Sequence, residues 1–90
     1  MSQPWDADPD AALTRRLGKS PAELGTTDSR DGCPDVWELD NGDIAVIGRD
    51  LTEVYQAAGL PQGMAINERE RLVVIPRITL LSAKEDLPDA

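Results

Sequence analysis

Three features of the sequence predict an α+β fold built on a small antiparallel sheet. Asn41-Gly42 sits between two apolar runs, 36–39 and 44–47, and is the strongest short hairpin signal, because a two-residue type I′ turn needs positive φ at both positions. Asp50-Leu51-Thr52-Glu53 is a helix-capping pattern followed by apolar residues at helical spacing. Leu72-Val73-Val74-Ile75 is β-branched and apolar on both faces, as in a strand covered from both sides. Together they predict a three-stranded antiparallel sheet, hairpin 36–48 plus strand 71–75, with a crossing helix, a C-terminal helix and a loosely attached N-terminal helix. Residues 1–32 then form a partly flexible N-terminal helix and linker, 33–84 the α+β core, and 85–90 a frayed tail.

In chain order, residues 1–7 should fray before Asp8-Pro9-Asp10, which offers an N-cap, a proline at the first helical position and acid in the first turn. Arg15, Arg16 and Gly18 suit the end of that helix, so helix is predicted over Pro9 to Leu17. Its stripe of Ala12, Leu13 and Leu17 is too thin to stabilise it alone, so it must dock or melt. Ser20-Pro21-Ala22-Glu23 is a capping box cut short by Gly25, which allows one turn. Residues 26–34 are polar and turn-rich, a loop leading into the hairpin.

A two-residue turn sets Leu39 opposite Ile44, Glu38 opposite Ala45, Trp37 opposite Val46 and Val36 opposite Ile47, with Asp40 facing Asp43. One face then holds Trp37, Leu39, Ile44 and Val46; the other holds Val36, Ala45 and Ile47 below an acidic tip. Asp50 is read as the N-cap of a helix running to about Ala58, with Glu53 reaching back to its amide. Leu51, Val54, Tyr55 and Ala58 would lie on the sheet, and Gly59 and Pro61 stop the helix. Residues 61–69 form a loop with Met64 and Ile66 as anchors into the core. Pro76 ends the third strand and suits the start of a helix from Arg77 to Lys84, with Ile78, Leu81 and then Leu80 facing inward. A strand over 78–81 is the rival reading.

Composition narrows the function classes. Ninety residues bury only about 60% of their unfolded surface, so the core is small. Cys33 is the one cysteine and histidine is absent, which excludes an internal disulfide, a Cys/His zinc site and every histidine-based catalytic arrangement. The start of the chain lacks a basic and apolar leader, and no apolar run reaches the ~20 residues of a membrane span, so a cytoplasmic protein is expected. The net charge of −8 is concentrated in residues 1–50, at −6, and disfavours direct nucleic-acid binding.

The candidate sites have bland rivals. Cys33, three residues after Arg30, is either a reactive thiolate beside a cation or a small buried apolar residue, and the absence of a general base favours the second. Glu38, Asp40 and Asp43 cluster at the hairpin tip, where hard oxygen ligands could hold a divalent cation. From Thr27 the segment imitates an EF-hand loop at Asp31, Gly32, Asp35 and Glu38, but Thr27 and Ser29 replace the first two ligands. Glu68-Arg69-Glu70-Arg71 reads as a solvated strand entry. Trp37 belongs to the hairpin, whereas Trp5 is equally a core anchor or an exposed partner contact.

Over CPDVWELDNGDIAVIGRDLT and ERLVVIPRITLLSAK, spanning roughly residues 33–84, the chain resembles a group of small, acidic, uncharacterised actinobacterial proteins. The resemblance implies a gene placed beside those of helix-turn-helix regulators, hence a regulatory role by that proximity only, and carries no catalytic motif. With no nucleophile–base pair and no cofactor motif, the chain is expected to be a non-enzymatic interaction protein without cofactor or metal. A protein partner or a homodimer would use Trp5, Leu13, Leu17, Val36 and Ile47. The alternative is a small ligand- or cation-binding domain using the acidic tip.

Overall fold

The computed structural model describes residues 5–27 and 32–87, and its fold is mixed α+β. In chain order the elements are β1 (Leu13–Arg16), α1 (Pro21–Leu24), β2 (Asp35–Leu39), β3 (Ile44–Ile47), β4 (Arg49–Asp50), α2 (Thr52–Ala58), β5 (Val73–Val74) and α3 (Arg77–Lys84). A three-stranded antiparallel sheet has the order β1-β2-β3, and β4 pairs with β5 in a second, two-stranded ladder.

The hairpin of β2 and β3 forms where Asn41-Gly42 places it, but its loop holds three residues. Leu39 N–H donates to the Asp43 carbonyl at 2.9 Å, and Gly42 N–H donates to the Leu39 carbonyl at 3.0 Å. Gly42 has φ +90°, and no non-glycine residue among those described has positive φ. A type I′ turn would also hold Asn41 in that region, whereas a type I turn closed by one left-handed glycine does not. Asn41 Oδ1 instead accepts from Asp43 N–H at 2.9 Å, fixing the longer loop. The register is therefore one residue from the predicted one: Val36 faces Val46, Trp37 faces Ala45, Glu38 faces Ile44 and Asp35 faces Ile47. One face now carries Asp35, Trp37, Leu39, Ala45 and Ile47, the other Val36, Glu38, Ile44 and Val46.

The predicted helix over Pro9 to Leu17 is a strand. Asp8 does cap, accepting from Asp10 N–H at 2.9 Å and Ala11 N–H at 3.2 Å, but only one turn follows. A thin apolar stripe cannot hold a short helix against ladder bonds with β2 and two arginine–carboxylate pairs, Arg15 with Glu38 and Arg16 with Asp35. The sheet's third strand is thus β1, next to β2, and not 71–75, which meets β4 through Arg49–Val74 and Asp50–Val73. Residues 13–16 accordingly belong to the same sheet as the hairpin.

α3 spans the predicted residues but turns the other way. Thr79 and Ala83, one helical turn apart, face the sheet, while Ile78, Leu80 and Leu81 are exposed. Small side chains allow close approach: Ala83 meets Leu17 and Val36, with Ile75 against them, and these form the core. Two polar latches hold the helix, Ser82 Oγ accepting from Lys19 N–H at 2.8 Å and Asp86 accepting from Gly18 N–H at 2.7 Å. α1 is the predicted single turn, with Ser20 and Glu23 forming the capping box. α2 does not lie on the sheet, and its Val54 and Tyr55 are exposed. Its N-cap is Leu51, while the Asp50 carboxylate accepts from Thr52 N–H and Oγ1–H, and this carboxylate is held below its ordinary pKa by those two bonds. Met64 is exposed and Ile66 half-buried, neither joining the core. Among the described residues no helix is long and apolar enough to cross a membrane.

Candidate functional site

The pleat sorts the sheet into a covered and an open face. Leu17 and Val36 lie on the covered side beneath α3. On the other side Leu13 stands opposite Leu39, Arg16 opposite Trp37, and Trp37 opposite Ala45, with Ile47 beside Asp35. Leu13 is 63% and Ile47 53% exposed, while Trp37 and Leu39 are half-buried. A run of apolar side chains therefore crosses all three strands on this side.

Its charged border is ordered. Arg16 Nε donates to both Asp35 oxygens at 2.9 and 3.2 Å and Nη2 donates at 3.0 Å, so the guanidinium is gripped as a fork. The same guanidinium lies 5.1 Å from the Trp37 ring centre, within cation–π range. Burial alone would raise the Asp35 pKa, but the Arg16 and Trp37 donors, the Arg16 charge and the Val36 N–H outweigh it and hold it below the usual value. A lowered folded pKa stabilises the fold above the unfolded value of about 3.9 and is lost as pH falls through the folded one. Thermal unfolding should therefore show a loss of stability below about pH 4 that is smaller in Asp35→Asn. Equal acid sensitivity in both proteins would contradict the role given to Asp35.

Of the five predicted contact residues, the structure brings Leu13 and Ile47 to the open face and places Trp5 at its rim, the indole donating to Asp43 Oδ2 at 3.2 Å. Leu17 and Val36 are core instead, 2% and 4% exposed, so a partner does not reach them. The one-residue register shift separates Val36 from Ile47, and Leu17 follows a strand where a helix is predicted, its N–H donating to the Val36 carbonyl at 2.8 Å. A two-residue turn pairs Leu39 with Ile44, whereas the three-residue loop sets it against Asp43 and β1 sets it against Leu13. The three tip carboxylates are engaged in the fold: Glu38 pairs with Arg15 at 3.0 Å, Asp40 accepts from Ala12 N–H at 3.1 Å, and Asp43 holds Trp5. Among the described residues no group of three acidic, cysteine or histidine side chains could hold a metal ion. Asp31 of the EF-hand imitation and Arg30 beside Cys33 lie outside the described residues, and Asp35 of the same imitation is committed to Arg16. Cys33 is exposed rather than buried, at the edge of a cleft with Arg49 and Pro76. The charges at 68–71 are solvated as expected, with Arg71 only 3.9 Å from Asp50.

Fold and surface together define a small mixed α+β protein with one sheet face covered by α3 over β1 and β2, exposed at Ile44 and Val46 of β3, and the other face left without a helix. No family model, curated protein or solved structure matches the chain.

Proposed function

We propose that the chain is a small, non-enzymatic interaction protein of the cytoplasm that acts in regulation through protein–protein contact, with the open sheet face as its contact. One observation carries this reading: among the described residues the buried apolar core is Leu17, Val36 and Ala83, while Leu13 and Ile47, side chains as large as any of these, stand in water on one face. Scattered exposed apolar residues are ordinary, but a contiguous set across three strands fits a surface that another protein covers. The resemblance over residues 33–84 supports a helix-turn-helix regulator as the partner, and the net charge of −8 would steer the chain to a basic surface.

The test is in-cell cross-linking and affinity recovery with wild type and Leu13→Asp. Leu13 is exposed on β1, so the substitution should leave the circular dichroism and melting temperature unchanged while lowering recovery of a specific regulator at least about tenfold, or ~1.4 kcal/mol. Recovery of the same proteins by both forms would end this reading.

A further inference from the structure

We propose that the outer edge of β3 and β4 pairs with the same edge of a second copy of this chain, antiparallel about a two-fold axis at Val46. This rests on the reading of the chain as an interaction protein and names one partner.

The two edges of the three-stranded sheet are unlike. β1 carries Arg15 and Arg16 and a bulge between Leu13 and Arg15, devices that keep an edge from pairing further. β3 reads Ile-Ala-Val-Ile, without charge, proline or bulge. Its hydrogen-bonding parity is set by Leu39 N–H donating to the Asp43 carbonyl, so Asp43, Ala45 and Ile47 bond towards β2. Leu51 N–H donates to the Leu72 carbonyl, so the odd-numbered residues of β4 likewise bond towards β5. The backbone groups of Ile44, Val46 and Gly48 consequently face outward, and among the described residues no backbone group pairs with them.

Antiparallel pairing centred on Val46 satisfies these groups with each other. Val46 meets its own copy, and Ile44 meets Gly48 of the second copy, beside the Ile75 side chain that lies over that glycine. Ala45 falls opposite Ile47, small against large. Asp43 falls directly opposite Arg49, twice by symmetry, and Arg49 is exposed with no ion pair among the described residues. Moving the centre by one residue either way sets Asp43 against Ile47 or Leu51, so charge selects this register. The result is one continuous sheet in the order β1-β2-β3-β3-β2-β1, with both open faces on the same side.

Sedimentation equilibrium of the purified chain tests this, in about 0.15 M salt so that repulsion between two acidic chains is screened beyond ~8 Å. Wild type should show a concentration-dependent monomer–dimer equilibrium. Val46→Pro removes an outward N–H that bonds nothing within one chain, so the variant should keep its circular dichroism and stay monomeric. Asp43→Arg and Arg49→Asp should each weaken dimerisation at least about tenfold, and an equimolar mixture of the two should restore it. A wild type monomeric at about 1 mM, a Val46→Pro protein that dimerises normally, or a mixture without recovery would overturn the pairing. If wild type is monomeric while Leu13→Asp still abolishes capture of a regulator, edge pairing alone fails; if neither association occurs, both readings fail.

Discussion

Gly18→Ala is expected to destabilise the chain by ~3 kcal/mol or more, enough to leave much of it unfolded at room temperature. Gly18 has φ +79°, which costs an L-residue about 1 kcal/mol, and a methyl group there would stand 2.6 Å from the Ser82 carbonyl carbon and 2.7 Å from Ala83 N. Those are backbone atoms of α3, so relief requires moving the helix off the core. Gly25→Ala is the control: φ is +74° but nothing lies within 4 Å, so only the conformational cost remains. Urea unfolding of both variants separates the effects, and equal midpoints would show that Gly18 is not a close-approach site.

Val36→Ala is expected to lower stability by about 2–3 kcal/mol. Val36 is 4% exposed and meets Leu17 and Ala83, so its loss opens a cavity where the sheet meets α3. In a core this small there is little side-chain volume to collapse into the gap, and total stability for such a domain is only ~5–10 kcal/mol. Val46→Ala, one strand across but 42% exposed, should cost less than about 1 kcal/mol. Comparable losses at both positions would mean that the β3 side is as buried as the α3 side.

Local signals were legible where chain neighbours decide the outcome. Ser20 and Glu23 complete their capping box, Gly59 ends α2, and α3 runs from Arg77 to Lys84 as its proline and length suggest. What distant residues decide was not legible. Asp8 caps a turn, yet Leu13–Arg16 extends because β2 offers it ladder partners and Glu38 and Asp35 offer its arginines counter-charges. Asn41-Gly42 announces a hairpin but is compatible with both a two- and a three-residue loop, and that single residue decided which face Ile47 shares. The facing of α3 goes with Gly18, 64 positions before the Ser82 that it approaches, which favours the small Thr79–Ala83 edge over the larger Ile78–Leu81 one. Leu13, Ile47 and Trp5 are exposed, as contact residues must be, whereas Leu17 and Val36 are buried, Val36 through the hairpin register and Leu17 because the chain there extends along β2 instead of forming a helix.

The latches that hold α3 span most of the chain: Lys19 to Ser82 is 63 residues, Gly18 to Asp86 is 68, and Arg15 to the Asp86 carbonyl is 71. Hairpin closure is local, but these contacts require a long loop to close first, at an entropy cost that grows with its length. On loop-closure entropy the hairpin is expected to form early and the helix to dock last. In unfolding the same reasoning puts the undocking of α3 first, a step that would bare Leu17 and Val36 together while the strands still hold.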